Sequence, residues 1–238
     1  MTHLIHESMN RGRSRLGWVD AFHSFSFGGF HDPERMGHGR LRVLNEDRIA
    51  PGAGFAPHDH ADVDVLTVVL KGRVRHEDDR GHVEEVSAGE VQLMRAGAGI
   101  RHSESNPSPD EAAQVLQIWL IPRLRGGEPS YARARLPEGE GPHLLASGDG
   151  EGSVASGDGS GLLTLGSDVR VWWGRPAEGA RSRFDLAPGR KGFVQLVEGF
   201  GMMQDERLVA GDGLQVEETP PELLWASDGA YLFFDLPA

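Results

Sequence analysis

Two short motifs in this chain carry the residue types that hold metals. His58-Asp59-His60 and His102-Ser103-Glu104 each set two ligand-type side chains two residues apart. On a strand the side-chain period is two, so both members of each motif face the same way. Two such motifs on facing strands can aim three imidazoles and one carboxylate at a single point. That donor set suits a first-row transition metal such as Fe, Mn, Ni, Cu or Zn better than Ca or Mg. Surface histidines could share a parity by coincidence. Two paired motifs, each beside a strong strand and glycine turns, argue against that.

The elements that must position these residues read as short strands. Residues 21–30 (AFHSFSFGGF) alternate imperfectly and end in glycines, after an exposed lead-in over 1–20. A strand follows at 41–49, then the turn Ala50-Pro-Gly-Ala-Gly. Residues 63–70 are dense in β-branched types and form the strongest strand signal in the chain. Gly72 breaks it, and Val74-Arg75-His76 resumes the alternation. Asp79-Arg-Gly and Ala88-Gly89-Glu90 read as tight turns, and 115–121 as an apolar closing strand. No segment before residue 123 keeps a 3.6-residue period, so this half is expected to be all-β, a small barrel around the metal.

Composition narrows the function classes. The absence of cysteine removes disulfides, thiolate catalysis, iron–sulfur clusters and zinc–thiolate sites, leaving nitrogen and oxygen ligands. A net charge of -12 disfavours sequence-independent nucleic-acid binding and docking on anionic lipid. No apolar run is long enough to span a bilayer, and the first residues lack the basic and apolar regions of a signal peptide. A cytoplasmic protein is the expectation.

The 238 residues allow two domains. Residues 1–122 are expected to form a metal-binding barrel, 123–141 a linker with at most one helical turn, and 142–238 a second barrel. The Gly/Ser/Asp-rich stretch 147–161 reads as a flexible surface hairpin, since no Lys-Ser/Thr follows to make a phosphate loop. The second half echoes the first: Thr67-Val-Val-Leu-Lys-Gly72 matches Val194-Gln-Leu-Val-Glu-Gly199, and Ala88-Gly-Glu matches Ala210-Gly-Asp. Aligned on Gly72, His58 and His60 fall opposite Asp185 and Ala187; aligned on Gly89, His102 and Glu104 fall opposite Leu224 and Ala226. The repeat keeps strands and turns but loses the ligands.

Gly52-x5-His58-x-His60-x3-Asp64 and Gly89-x5-Arg95-x-Gly97, followed by His102-x3-Asn106, resemble the two cupin motifs. His23-Ser-Phe-Ser-Phe27, Arg42-Val-Leu-Asn-Glu-Asp-Arg48, Ala96-Gly-Ala-Gly-Ile-Arg-His-Ser-Glu-Ser-Asn106 and the closing Phe234-Asp-Leu-Pro237 resemble the pirin family, within it the bacterial quercetinase-like group. The resemblance runs along essentially the whole chain. It implies an all-β bicupin, two consecutive jelly-roll-like barrels, with one mononuclear divalent cation in the N-terminal barrel. Iron(II) is the usual metal, with Mn, Ni, Co, Cu and Zn as alternatives, and the ligands fall on His58, His60, His102 and Glu104. The chain departs from the family pattern at Asp59, where proline usually separates the histidines, and at Asp64, where the general cupin motif has glutamate. Asp59 is expected to point away from the ligands, and an acidic residue at the Asp64 position is not a ligand in pirins.

The resemblance further implies quercetin 2,3-dioxygenase chemistry. A flavonol is deprotonated at its 3-hydroxyl, O2 adds across the heterocycle, and the ring opens with release of carbon monoxide. Glu104 is the candidate for both ligand and base. His76 shares inward parity with Val74 and is expected at the pocket wall; His23 is a second pocket candidate. His82 is expected in solvent, Glu77-Asp78-Asp79 at a wet hairpin end, Trp119 in the core, and Trp172 and Trp173 on opposite faces. The alternative is a non-catalytic metal-binding regulator acting through protein partners in response to metal redox state. An isomerase or sugar-binding cupin would not normally carry the His-Ser-Glu motif.

Overall fold

Three Val- and Leu-rich strands, Leu41–Ile49, Asp64–Lys71 and Ala113–Leu120, are buried along nearly their whole length. A strand covered on both faces needs no polar alternation, and the two parities here serve two different cores. Leu44, Leu66, Val68, Leu116, Ile118 and Leu120 enter one hydrophobic cluster, whereas Val69 and Val115 enter another. The computed structural model describes residues 4–148, 161–217 and 222–237. The Gly/Ser/Asp-rich stretch lies mostly outside them.

The protein is an all-β bicupin of two similar units. In the first, a seven-stranded sheet runs Ser130–Arg135, Glu90–Arg95, Asp64–Lys71, Ala113–Leu120, Leu41–Ile49, Val19–His23, Gly12–Arg15. A four-stranded sheet, Gly54–His60, Ile100–Ser105, Arg73–Asp78, Val83–Ser87, closes over it. The second unit repeats the plan. Its seven-stranded sheet runs Leu4–His6, Gly213–Val216, Arg190–Glu198, Ala230–Pro237, Arg170–Gly174, Pro142–Ser147, Leu163–Thr164, and its four-stranded sheet Arg181–Arg183, Glu222–Trp225, Phe200–Met203, Glu206–Val209. The large sheets pack against each other, and the largest core cluster draws on both halves, from Phe25 and Leu66 to Trp173, Phe193 and Phe234. No helix among the described residues is long and apolar enough to cross a membrane.

Two sequence expectations need correction. The lead-in is structured: Leu4–His6 pairs with Gly213–Val216 in the second unit, and Gly12–Arg15 with Val19–His23 in the first. The expected linker contains Ser130–Arg135, paired along its length with Glu90–Arg95, and no helical turn. The chain therefore exchanges an edge strand in each direction across the boundaries read from composition. Satisfying an open sheet edge is the physical reason, since each edge strand leaves a row of backbone groups unpaired.

The internal repeat is real, with one shift. Thr67 pairs with Gln92 as Val194 pairs with Leu214, and Gly54 pairs with Ser105 as Arg181 pairs with Leu224. Counted on from that register, which ends at Arg183, Asp185 and Ala187 fall at the His58 and His60 positions, as the Gly72 alignment has it. On the other strand Leu223, not Ala226, takes the place of Glu104, because it pairs with Ser182 as Glu104 pairs with Phe55. The connection preceding that strand is shorter in the second unit.

Candidate metal centre

His58 and His60 project from Gly54–His60, and His102 and Glu104 from its antiparallel neighbour Ile100–Ser105, with His102 directly opposite His58. Between His102 and Glu104 the register slips by one residue, which accommodates Pro57 at a point where the ladder is irregular. Potential ligand atoms of His58, His60 and His102 lie within 4.8 Å of one another. The three rings contact each other in pairs, with centroids 4.6–4.9 Å apart. Glu104 falls instead in a second cluster, with His102 and His76.

The ring environments favour metal donation, and burial favours the neutral form of His60 and His102. His58 donates its Nδ1–H to the Ala56 carbonyl at 2.8 Å, leaving Nε2 with a lone pair. Burial, reinforced by the charge of His58, holds His60 down at about 4. Burial first, then His58, His60 and His76, lowers His102 to about 3. The Nε2 of His102 is buried with no hydrogen-bond partner among the described residues. A buried orphan nitrogen is costly unless something occupies it. The donor set and this orphan together fit a transition-metal ion.

Glu104 sits in a polar cradle that metal-ligand spacing does not announce. Its Oε1 accepts from Thr67 Oγ1 at 3.3 Å and from Gln92 Nε2 at 2.5 Å, and its Oε2 accepts from Gln117 Nε2. Tyr131 donates its hydroxyl to Gln92 Oε1 at 2.9 Å, which fixes the Gln92 amide with its NH2 toward Glu104. Complete burial pushes Glu104 up to about 7, with the Thr67, Gln117 and Gln92 bonds pulling against it. Thr67, Gln92 and Gln117 are polar residues in otherwise apolar strands, on the parity that faces the barrel interior; that pattern is the signal by which the sequence betrays them. Tyr131 gives no such signal, since it lies on the strand inside the expected linker.

A cavity of about 750 Å³ opens beside the histidines, lined by Trp18, Phe27, Phe55, Trp119 and Gln117 as well as His58 and His60. Trp119 packs on the cluster of Val63, Val65 and Met94 as expected and also forms a wall of the cavity, its ring 4.9 Å from that of His60. His76 and His23 are not among the lining residues. His76 is fully buried behind His102, because its side chain turns to Asp78 and His102. His23 is fixed between Ser14 and Asn45. Asp78 is no wet hairpin end: its side chain is buried and accepts from His76, from His82 and from two backbone amides. Asp59 turns outward to Arg101 at 3.0 Å. Asp64, also off the site, accepts the Gly166 amide at 2.5 Å and so ties the two halves together.

Comparison with known proteins agrees with this architecture. Residues 6–120 match the family model described as Pirin, and 153–236 match the quercetinase C-terminal cupin domain. The chain is 37% identical over 234 residues, 98% of each chain, to a protein of Escherichia coli named quercetin 2,3-dioxygenase. The chain belongs to the pirin family. A pirin-like protein of Caulobacter vibrioides is 35% identical, covering 93% of each chain. Among solved structures, the bacterial pirin YhhW of E. coli in complex with nickel(II) superposes with a TM-score of 0.91 at 37% identity, covering 99% of each chain.

The second cupin of this pirin shows what the cradle is for. At the positions of Thr67, Gln92, Gln117 and Glu104 it carries Val194, Leu214, Phe233 and Leu223, all in one apolar cluster. A barrel without a buried carboxylate needs no donors around it.

Proposed function

We propose that this pirin is a metal-dependent dioxygenase of the quercetin 2,3-dioxygenase type, opening the heterocycle of a flavonol with O2 and releasing carbon monoxide. His58, His60 and His102 would hold one divalent cation, with Glu104 as the fourth ligand. Iron(II) is the first expectation from the family, and the nickel(II) complex of the E. coli relative makes nickel the second. When bound, the cation would supply a Lewis acid that favours the flavonolate and brings substrate and O2 together.

The observation that carries the reading is a 750 Å³ aromatic cavity lined by His58 and His60, with the His102 ring against both and the buried Glu104 carboxyl joined to the cavity wall through Gln117. The cavity volume falls in the range of small-molecule sites. Trp18, Phe27, Phe55 and Trp119 offer flat apolar faces to a planar polycyclic substrate and keep water from it. Glu104, raised to about 7, is matched to accept the proton of the flavonol 3-hydroxyl at neutral pH. Gln117, which lines the cavity and donates to Oε2, sits where it can steady the carboxyl through that transfer.

The test is anaerobic reconstitution with Fe(II), Mn(II), Ni(II), Co(II) and Cu(II) in turn, then quercetin and air. Flavonol absorbance and carbon monoxide are followed, with His58→Ala as control. Metal-dependent loss of quercetin with carbon monoxide, abolished in the variant, supports the enzyme. Tight metal binding without turnover of any flavonol defeats it and favours the regulator, which would then be sought through protein partners. A Glu104→Gln variant that binds metal and turns over at the unmodified rate removes the base role alone.

A further inference from the structure

We infer that Asp78 and His76 are positioning residues that fix the tautomer of His102, holding its Nε2 unprotonated as a donor. The inference rests on reading the site as a metal centre and names part of the machinery that prepares it.

With His76 neutral, the chain of bonds has one consistent proton arrangement. Asp78 Oδ1 accepts the backbone N–H of Arg80 at 2.9 Å and of His82 at 3.0 Å, and Oδ2 lies 2.9 Å from His82 Nδ1 and 3.2 Å from His76 Nε2. An ionised carboxylate only accepts, so His76 carries its proton on Nε2. A neutral imidazole has one N–H, which leaves His76 Nδ1 as an acceptor. That atom lies 3.3 Å from His102 Nδ1. His102 therefore donates from Nδ1, and its buried, otherwise unpartnered Nε2 keeps the lone pair.

The fold lays this chain out deliberately. His76 and Asp78 are two apart on Arg73–Asp78, with side chains fully buried, and pair across the ladder with Glu104 and His102 respectively. Tyr131 lies against His76 at 4.8 Å and stacks on His82 at 5.6 Å, restraining both rings. The same tyrosine orients Gln92 toward Glu104, so one residue braces both arms of the site. In the second barrel, aligned on Gly72 and Gly199, the counterparts are a buried Met203 and an exposed Asp205. The relay is absent where the ligands are absent.

The decisive variant is Asp78→Asn. Two backbone amides require an acceptor at the Oδ1 position, so the new NH2 faces both His76 Nε2 and His82 Nδ1. His76 must then accept at Nε2 and donate from Nδ1, and His102 must accept at Nδ1 and carry its proton on Nε2. Side-chain ¹⁵N shifts of the metal-free protein read the tautomers directly, and titration calorimetry with Ni(II) reads the donor strength. The wild type should show His102 protonated on Nδ1. Asp78→Asn should show it on Nε2 and bind Ni(II) about 10- to 100-fold more weakly, the range for lost partners behind a ligand. If that variant does not fold, His76→Phe keeps a ring under Tyr131 and removes the acceptor; His102 should then populate both tautomers, with weaker Ni(II) binding. A wild-type His102 protonated on Nε2 overturns the inference. So does a folded Asp78→Asn with wild-type Ni(II) affinity. A wild type with the Nδ1–H tautomer that takes up no more Ni(II) than His58→Ala overturns the metal reading itself.

Discussion

The proton affinity of Glu104 is set by a contest between burial and hydrogen bonding. Burial raises it to about 7, while Thr67, Gln117 and Gln92 favour the charged form. Replacing Gln92 by leucine, the residue type at the matching place in the second barrel, removes one donor to the carboxylate and the acceptor of Tyr131. A hydrogen bond to a charged group contributes about 1.5–3 kcal/mol, so metal-free Gln92→Leu should lose roughly that much stability where Glu104 is ionised. The deficit should be larger near about pH 8 than near about pH 6, because below the raised value the carboxyl is protonated and depends less on donors. Urea unfolding at the two pH values measures this; an equal deficit at both would show that Gln92 acts only by packing.

At the level of elements, the site depends on how closely Gly54–His60 lies against Ile100–Ser105. Gly54 faces Ser105, and a Cβ there would come within 2.3 Å of the Glu104 carbonyl oxygen and 2.4 Å of the Ser105 Cα. Both are backbone atoms and cannot swing aside. Gly54→Ala should therefore push the strand carrying His58 and His60 away from the strand carrying His102. Overpacking of this kind costs about 1–3 kcal/mol. Ni(II) affinity should fall with the stability, since the candidate ligands come from both sides of the gap. Calorimetric affinity equal to that of wild type in a folded Gly54→Ala would show that the ligand geometry is set elsewhere.

For the whole molecule, the two barrels are bound by a shared core and by exchanged edge strands. His6 lies on such a strand, its ring between Phe25 of the first half and Phe193 of the second, with Gln215 2.8 Å from its Nε2. Burial, followed by the charges of Arg35 and His38, lowers it from 6.5 to about 4. Between those values the unfolded chain binds the proton more readily, so stability rises with pH across the window. The contribution is complete above about pH 6.5 and is lost as pH falls through about 4, a swing on the order of 3 kcal/mol. His6→Phe removes this titration and should flatten the stability profile between those pH values relative to wild type. A profile as steep as before would place the acid sensitivity in other groups.

The sequence by itself determined the strand-rich fold, the repeat and the candidate ligands, because these are local: glycine turns, β-branched runs and i, i+2 spacing need no knowledge of partners. The match of turns also showed that the second half keeps strands and turns without repeating the two histidine motifs. Local pattern did not reveal that Leu4–His6 completes the second sheet or that Ser130–Arg135 completes the first, since edge pairing joins residues distant in sequence. Nor did it give the roles of His76, Asp78 and Tyr131. Each is an ordinary polar residue until the fold sets it behind a candidate ligand, where burial makes every unshared proton costly.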